Sequence, residues 1–231
     1  MEAKRITIFA GHYGSGKTNI AVNYALRLRE KYDKVDIADL DIVNPYFRTK
    51  DSEKKLKEKG IHLISSEYAN SNVDVPAMPA EAYAIIDDMS IHAVIDVGGD
   101  DRGALALGRY TPAIIEQNDY EMLLVINKYR PLTPDCASTV EVMREIEAAC
   151  RMNFTGIVNN SNLGDETTAE DVLNSLSYAD EISKASGLPI RMTTVKEDLF
   201  DTLNEKVVNC TPIRLYVKQS WAKQEEDLWL K

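Results

Sequence analysis

The segment Gly11-His12-Tyr13-Gly14-Ser15-Gly16-Lys17-Thr18 has the spacing GxxxxGK[ST], which suits the holding of a phosphate chain. Glycines let a backbone curl so that several N–H groups face one anion. A helix that starts at this point adds its positive end. A lysine at position 17 can reach the outer phosphates, and the Thr18 hydroxyl can bind Mg2+. Gly11, Tyr13, Gly14, Ser15, Gly16, Lys17, Thr18 and Asn19 are the nucleotide-binding residues this spacing predicts.

Two acidic segments accompany the loop. Asp39-Leu40-Asp41 follows one apolar run, and Asp96-Val97-Gly98-Gly99 follows another. Ligands of parallel sheets bind outside the carboxyl ends of the strands. Carboxylates there can hold the waters of Mg2+ or orient an attacking water, and the Gly99 N–H can meet a γ-phosphate and move when it leaves. Asn127-Lys128-Tyr129-Arg130 resembles the guanine-reading NKxD, but its fourth residue is Arg. Guanine needs an acidic acceptor and arginine only donates, so the reading favours ATP and leaves Asn127 as a turn residue. In Val158-Asn159-Asn160, Asn159 is the expected contact to the adenine edge, which has both a donor and an acceptor.

The elements that must position these groups alternate. Strands are expected at 5–10, 35–38, 61–64, 93–97, 122–126, 154–158, 190–195 and 213–217. Helices are expected from 17 to about 31 and at 52–59, 80–89, part of 105–116, 134–150, 168–186 and 196–206. Thr167 and Glu170 fit a capping box before the 168–186 helix. The loop at 65–79 has a length that suggests function, and 44–48, with Arg48, has a similar aromatic and polar mix. The pattern predicts a single doubly wound α/β domain spanning 1–231, with a mainly parallel sheet and helices on both faces. The tail from about 220 is expected to pack on the domain or on a partner.

Of the 231 residues, 44% are hydrophobic, enough for a sizeable core, and the formal net charge is -10. Such a surface repels nucleic acid and anionic lipid. No apolar run is long enough to span a bilayer, and the start of the chain does not look like a signal peptide, so a cytoplasmic, soluble protein is expected. The three cysteines include no CxxC pair and read as free thiols.

The order of motifs resembles the ParA/MinD-type deviant-Walker ATPases, a SIMIBI-class family of P-loop NTPases, over roughly residues 4–198. The resemblance implies ATP and Mg2+ as cofactors, hydrolysis coupled to an ATP-dependent homodimer, Asp41 orienting the catalytic water, Asp39 near the metal and Asp96 in its outer shell. With Thr18, the expected metal residues are Asp39 and Asp96; the expected catalytic residues are Lys17, Asp41 and His12. The family carries a second lysine where this chain has His12, which leaves two roles open: a donor across the dimer or a packing residue of the loop. The expected function is a slow, partner-stimulated ATPase that switches or matures a client protein. Alternatives are a partition-type ATPase on DNA or membrane, or an ATP-dependent ligase or kinase.

Overall fold

The computed structural model describes residues 3–40, 52–65, 81–99 and 101–216. Asp41, the segment 44–48, the loop beyond Ser65 and the tail from 217 lie outside the described residues.

Among the described residues eight strands form one sheet: β1 (Ile6–Ala10), β2 (Val35–Leu40), β3 (His62–Ser65), β4 (His92–Val97), β5 (Tyr120–Ile126), β6 (Gly156–Asn159), β7 (Ile190–Lys196) and β8 (Cys210–Ile213). Their order is β3-β2-β4-β1-β5-β6-β7-β8, and every pairing is parallel. The α-helices are α1 (Lys17–Arg29), α2 (Glu53–Glu58), α3 (Glu81–Asp87), α4 (Asp101–Gly108), α5 (Thr111–Gln117), α6 (Cys136–Cys150), α7 (Ala169–Asn174), α8 (Leu176–Ser186) and α9 (Glu197–Leu203).

Alternation along β1 places apolar side chains in a core on each face of the sheet. Ile6, Ile8 and Ala10 of β1 pack with Leu107, Ile114, Ile146 and Ile182 on one face. Phe9 faces the other way and packs with Ile20, Val22 and Ala25 of α1 and with Leu56 of α2. A sheet buried on both faces needs strands that are apolar throughout, as Ile-Thr-Ile-Phe-Ala nearly is. Buried Arg5 ties the start of β1 to the carbonyls of Ile85 and Ile86, at 2.8 and 3.2 Å.

Several boundaries differ from expectation. The expected 168–186 helix is two helices that meet at Ser175, whose Oγ donates to Val172 O at 2.7 Å and accepts from Asn159. The capping box is one residue later, Thr168 with Asp171. Thr167 is otherwise engaged, donating to Gly164 O at 2.6 Å and accepting from Leu163 N at 2.8 Å. The 105–116 region divides into α4 and α5, with Pro112 in the first turn of α5. The last strand pairs at 210–213, three residues before its expected place.

No described helix is long and apolar enough to cross a membrane.

Candidate functional site

The loop begins where β1 ends. Gly11 has φ 152, and a Cβ there would overlap the Val125 carbonyl of the neighbouring β5, so only glycine fits. Ser15 N donates to His12 O at 3.2 Å and closes the turn. Gly16 then caps α1 in the left-handed region at φ 89, and a Cβ there would collide with Asn160 Nδ2. The helix has no acidic residue in its first turn and no side-chain cap, so its positive end is left for a ligand. Lys17 is 6% exposed, and its Nζ donates to His12 O at 3.1 Å, which holds the ammonium within the loop. Thr18 stands beside it at the start of α1. Ser15 Oγ is buried with no hydrogen-bond partner among the described residues.

Carboxylates lie at the same end of the sheet. Asp39 on β2 and Asp96 on β4 are direct ladder partners, and Asp96 is also opposite Phe9 on β1. Directly paired residues of parallel strands point to one face. Phe9 faces α1, so both carboxylates face the helix that carries Lys17 and Thr18. They are 5% and 1% exposed. Among the described residues no three acidic, histidine or cysteine side chains cluster. Mg2+ does not need such a cluster, because it keeps several waters and takes one or two carboxylates besides phosphate oxygens.

The segment after Asp96 touches the loop. A Cβ on Gly99 would be 2.5 Å from Tyr13 N, and one on Gly103 of α4 would be 2.7 Å from Gly98 N. Gly98 and Gly99 are thus wedged between the phosphate loop and α4, and three bare glycines make the fit.

The opposite wall corrects one reading. Asn159 is fully buried, its Nδ2 donates to Ser175 Oγ at 2.9 Å, and its Oδ1 accepts from Ser161 N and Oγ at 3.2 and 2.7 Å. Both ends of that amide are committed to the interior, so Asn159 is not placed to read a base. Asn160 is the residue that meets the loop: its Nδ2 donates to Ser15 O at 2.6 Å while Thr194 Oγ1 donates to its Oδ1. Reasoning from sequence missed this brace because it chose between two adjacent asparagines without knowing their facing.

Asn127 holds its own turn, accepting from Tyr129 N at 3.0 Å, and also clamps Asn162. Asn19 also has a structural tie: its Oδ1 accepts from Tyr216 N at 2.8 Å. With Asn23, which exchanges two bonds with Arg214, it ties α1 to the chain beyond β8. His12 Nδ1 bonds Tyr13 O at 2.9 Å, within the loop, and Tyr13 is half exposed at the rim. Arg130, which the sequence brought in only to argue against guanine, lies against Gly14 of the loop.

This loop, entering α1 from an inner strand of a parallel sheet with Asp39 and Asp96 near the carboxyl ends of β2 and β4, defines the P-loop NTPase fold. Many solved structures align with the chain, and three of them illustrate the likeness. They are FtsY from Mycoplasma mycoides (21% identity, TM-score 0.52, 85% of this chain and 62% of that one), chloroplast FtsY from Physcomitrella patens (18%, 0.56, 85% and 60%), and cell division protein FtsY from Thermotoga maritima (22%, 0.52, 85% and 63%). The chain spans about six-tenths of the length of these FtsY structures. No family model and no curated protein matches it. These likenesses establish the fold and do not single out a branch of it.

Proposed function

We propose that this chain is a Mg-ATP-binding ATPase of the ParA/MinD-like type, a nucleotide-operated switch acting on a client protein. The observation that carries the reading is the contact of Gly99 with the backbone of Tyr13. It puts the segment after Asp96 directly on the phosphate loop, with α4 packed behind it. A γ-phosphate at the loop would be sensed there and passed to α4.

Each residue has a role in this reading. Loop N–H groups and the start of α1 bind the phosphates, and Lys17 exchanges its bond to His12 O for a phosphate oxygen. Thr18, Asp39 and Asp96 are the residues that would hold Mg2+, directly or through its waters; when bound, the metal neutralises charge on the phosphates. Asp41 orients the attacking water.

A guanine nucleotide is the second reading. One FtsY neighbour, from Elizabethkingia anophelis, was solved in complex with GDP (TM-score 0.50, 16% identity). Against it, neither candidate turn has an acidic acceptor. Arg130 stands fourth after β5, and Asn162 stands fourth from Asn159, with its amide bonded to Asn160 O and Gly164 N at 2.7 and 3.1 Å. Titration of the purified chain with Mg-ATP and Mg-GTP decides between them: tighter GTP binding overturns the adenine reading. Light scattering on Asp41→Ala with Mg-ATP, with Mg-ADP and without nucleotide tests the switch. A dimer only with ATP supports it, and a constant mass turns attention to the ligase or kinase alternative.

A further inference from the structure

We propose that Arg130 is a second cationic residue of the phosphate loop, supplied by the same chain, which contacts the phosphate groups of bound nucleotide. The proposal rests on the nucleotide-binding reading above.

The position of the side chain comes first. A Cβ built on Gly14 would be 3.5 Å from Arg130 Nε, 3.6 Å from Cδ and 3.8 Å from Cζ. The guanidinium therefore lies against the loop at its bare glycine. Five N–H donors in a planar fork suit the oxygens of a phosphate chain.

The backbone that carries Arg130 is fixed. Arg130 N donates to Asn127 O at 3.2 Å, and Thr133 N donates to Arg130 O at 3.2 Å. Asn127, fully buried, clamps the same turn to Asn162. The head of the side chain is thus presented by two braced turns, a different case from a lysine or arginine on a solvated helix.

The charge meets no counter-ion among the described residues. Among the described residues Arg130 Nε is buried without an acceptor, and no carboxylate forms an ion pair with Arg130. A buried donor with no partner is costly, and a phosphate oxygen is an acceptor that this loop is built to bring close. His12, the other basic side chain of the loop besides Lys17, spends its Nδ1 on Tyr13 O. Arg130 thus brings positive charge to the loop without a second subunit.

The test is calorimetric titration of the full chain with Mg-ATP and Mg-ADP. Arg130→Met keeps the stem and removes the charge, Arg130→Lys keeps the charge, and Lys17→Ala is the control. Thermal melting without nucleotide follows the fold. Arg130→Met is expected to weaken both nucleotides by about tenfold to a hundredfold with an unchanged melt, and Arg130→Lys to recover part of the loss. Wild-type affinity in Arg130→Met, with binding lost in Lys17→Ala, overturns the proposal and leaves Arg130 as a packing residue. Should Arg130→Met melt early, Arg130→Gln replaces it, and wild-type affinity there overturns the proposal equally. If the wild type binds neither nucleotide, or Lys17→Ala binds as the wild type does, the nucleotide reading fails and takes the proposal with it.

Discussion

Asp39 and Asp96 are paired in register across β2 and β4, both buried and both facing α1. Adjacent parallel strands are about 4.8 Å apart, so the two carboxylates stand side by side at the end of the sheet that carries the phosphate loop, where Mg2+ or its waters would find oxygen ligands. Asp96→Asn should therefore reduce the gain in ATP affinity that Mg2+ gives by about tenfold, and leave metal-free binding less changed. The check is titration with and without Mg2+; an unchanged metal dependence would remove Asp96 from the metal site.

Lys17→Ala should lower nucleotide affinity by about a hundredfold or more, because it removes the charge held within the loop. The melting temperature without nucleotide should shift less than the affinity, since the Lys17 Nζ bond to His12 O stays within the loop. Equal ATP affinity in the variant would sink the assignment of the loop.

Gly16→Ala should block binding for two reasons that can be separated. Its φ of 89 disfavours any side chain, by about 1–2 kcal/mol, and its Cβ would overlap Asn160 Nδ2. Adding Asn160→Ala removes the overlap but not the strain. The double variant should recover part of the stability lost by Gly16→Ala, a coupling that a cycle of denaturant unfolding measures. Strict additivity would mean that Asn160 does not press on Gly16.

Tyr178 offers a pH test away from the site. Its hydroxyl donates to Thr133 O at 2.9 Å and lies 2.8 Å from Thr139 Oγ1. Burial pushes its pKa up to about 12. The folded state thus favours the neutral phenol. That contribution is complete below the unfolded value near pH 10 and is lost as pH rises through about 12. Tyr178→Phe should cost about 1 kcal/mol at pH 8 and show a shallower decline between pH 10 and 11.5. Parallel curves for the two proteins would contradict the assignment.

Much was legible in the sequence because it is local. A glycine-rich turn, its lysine and its hydroxyl are fixed by consecutive residues, and each apolar run marks a strand by its own composition. The doubly wound parallel sheet follows, since strands buried on both faces need helices between them, as Phe9 and Ile8 show by packing to opposite sides. Tertiary structure decided what depends on facing and on distant partners. Asn159 and Asn160 are identical in type and adjacent in sequence. Successive residues point opposite ways, so one fastens to Ser175 and the other to the loop. The helix break at Ser175 and the shift of the capping box to Thr168 come from side chains already engaged elsewhere. The meeting of Arg130 with Gly14 brings together residues far apart in the chain; it exists only because β5 lies parallel beside β1 and both have their carboxyl ends on the same side of the sheet.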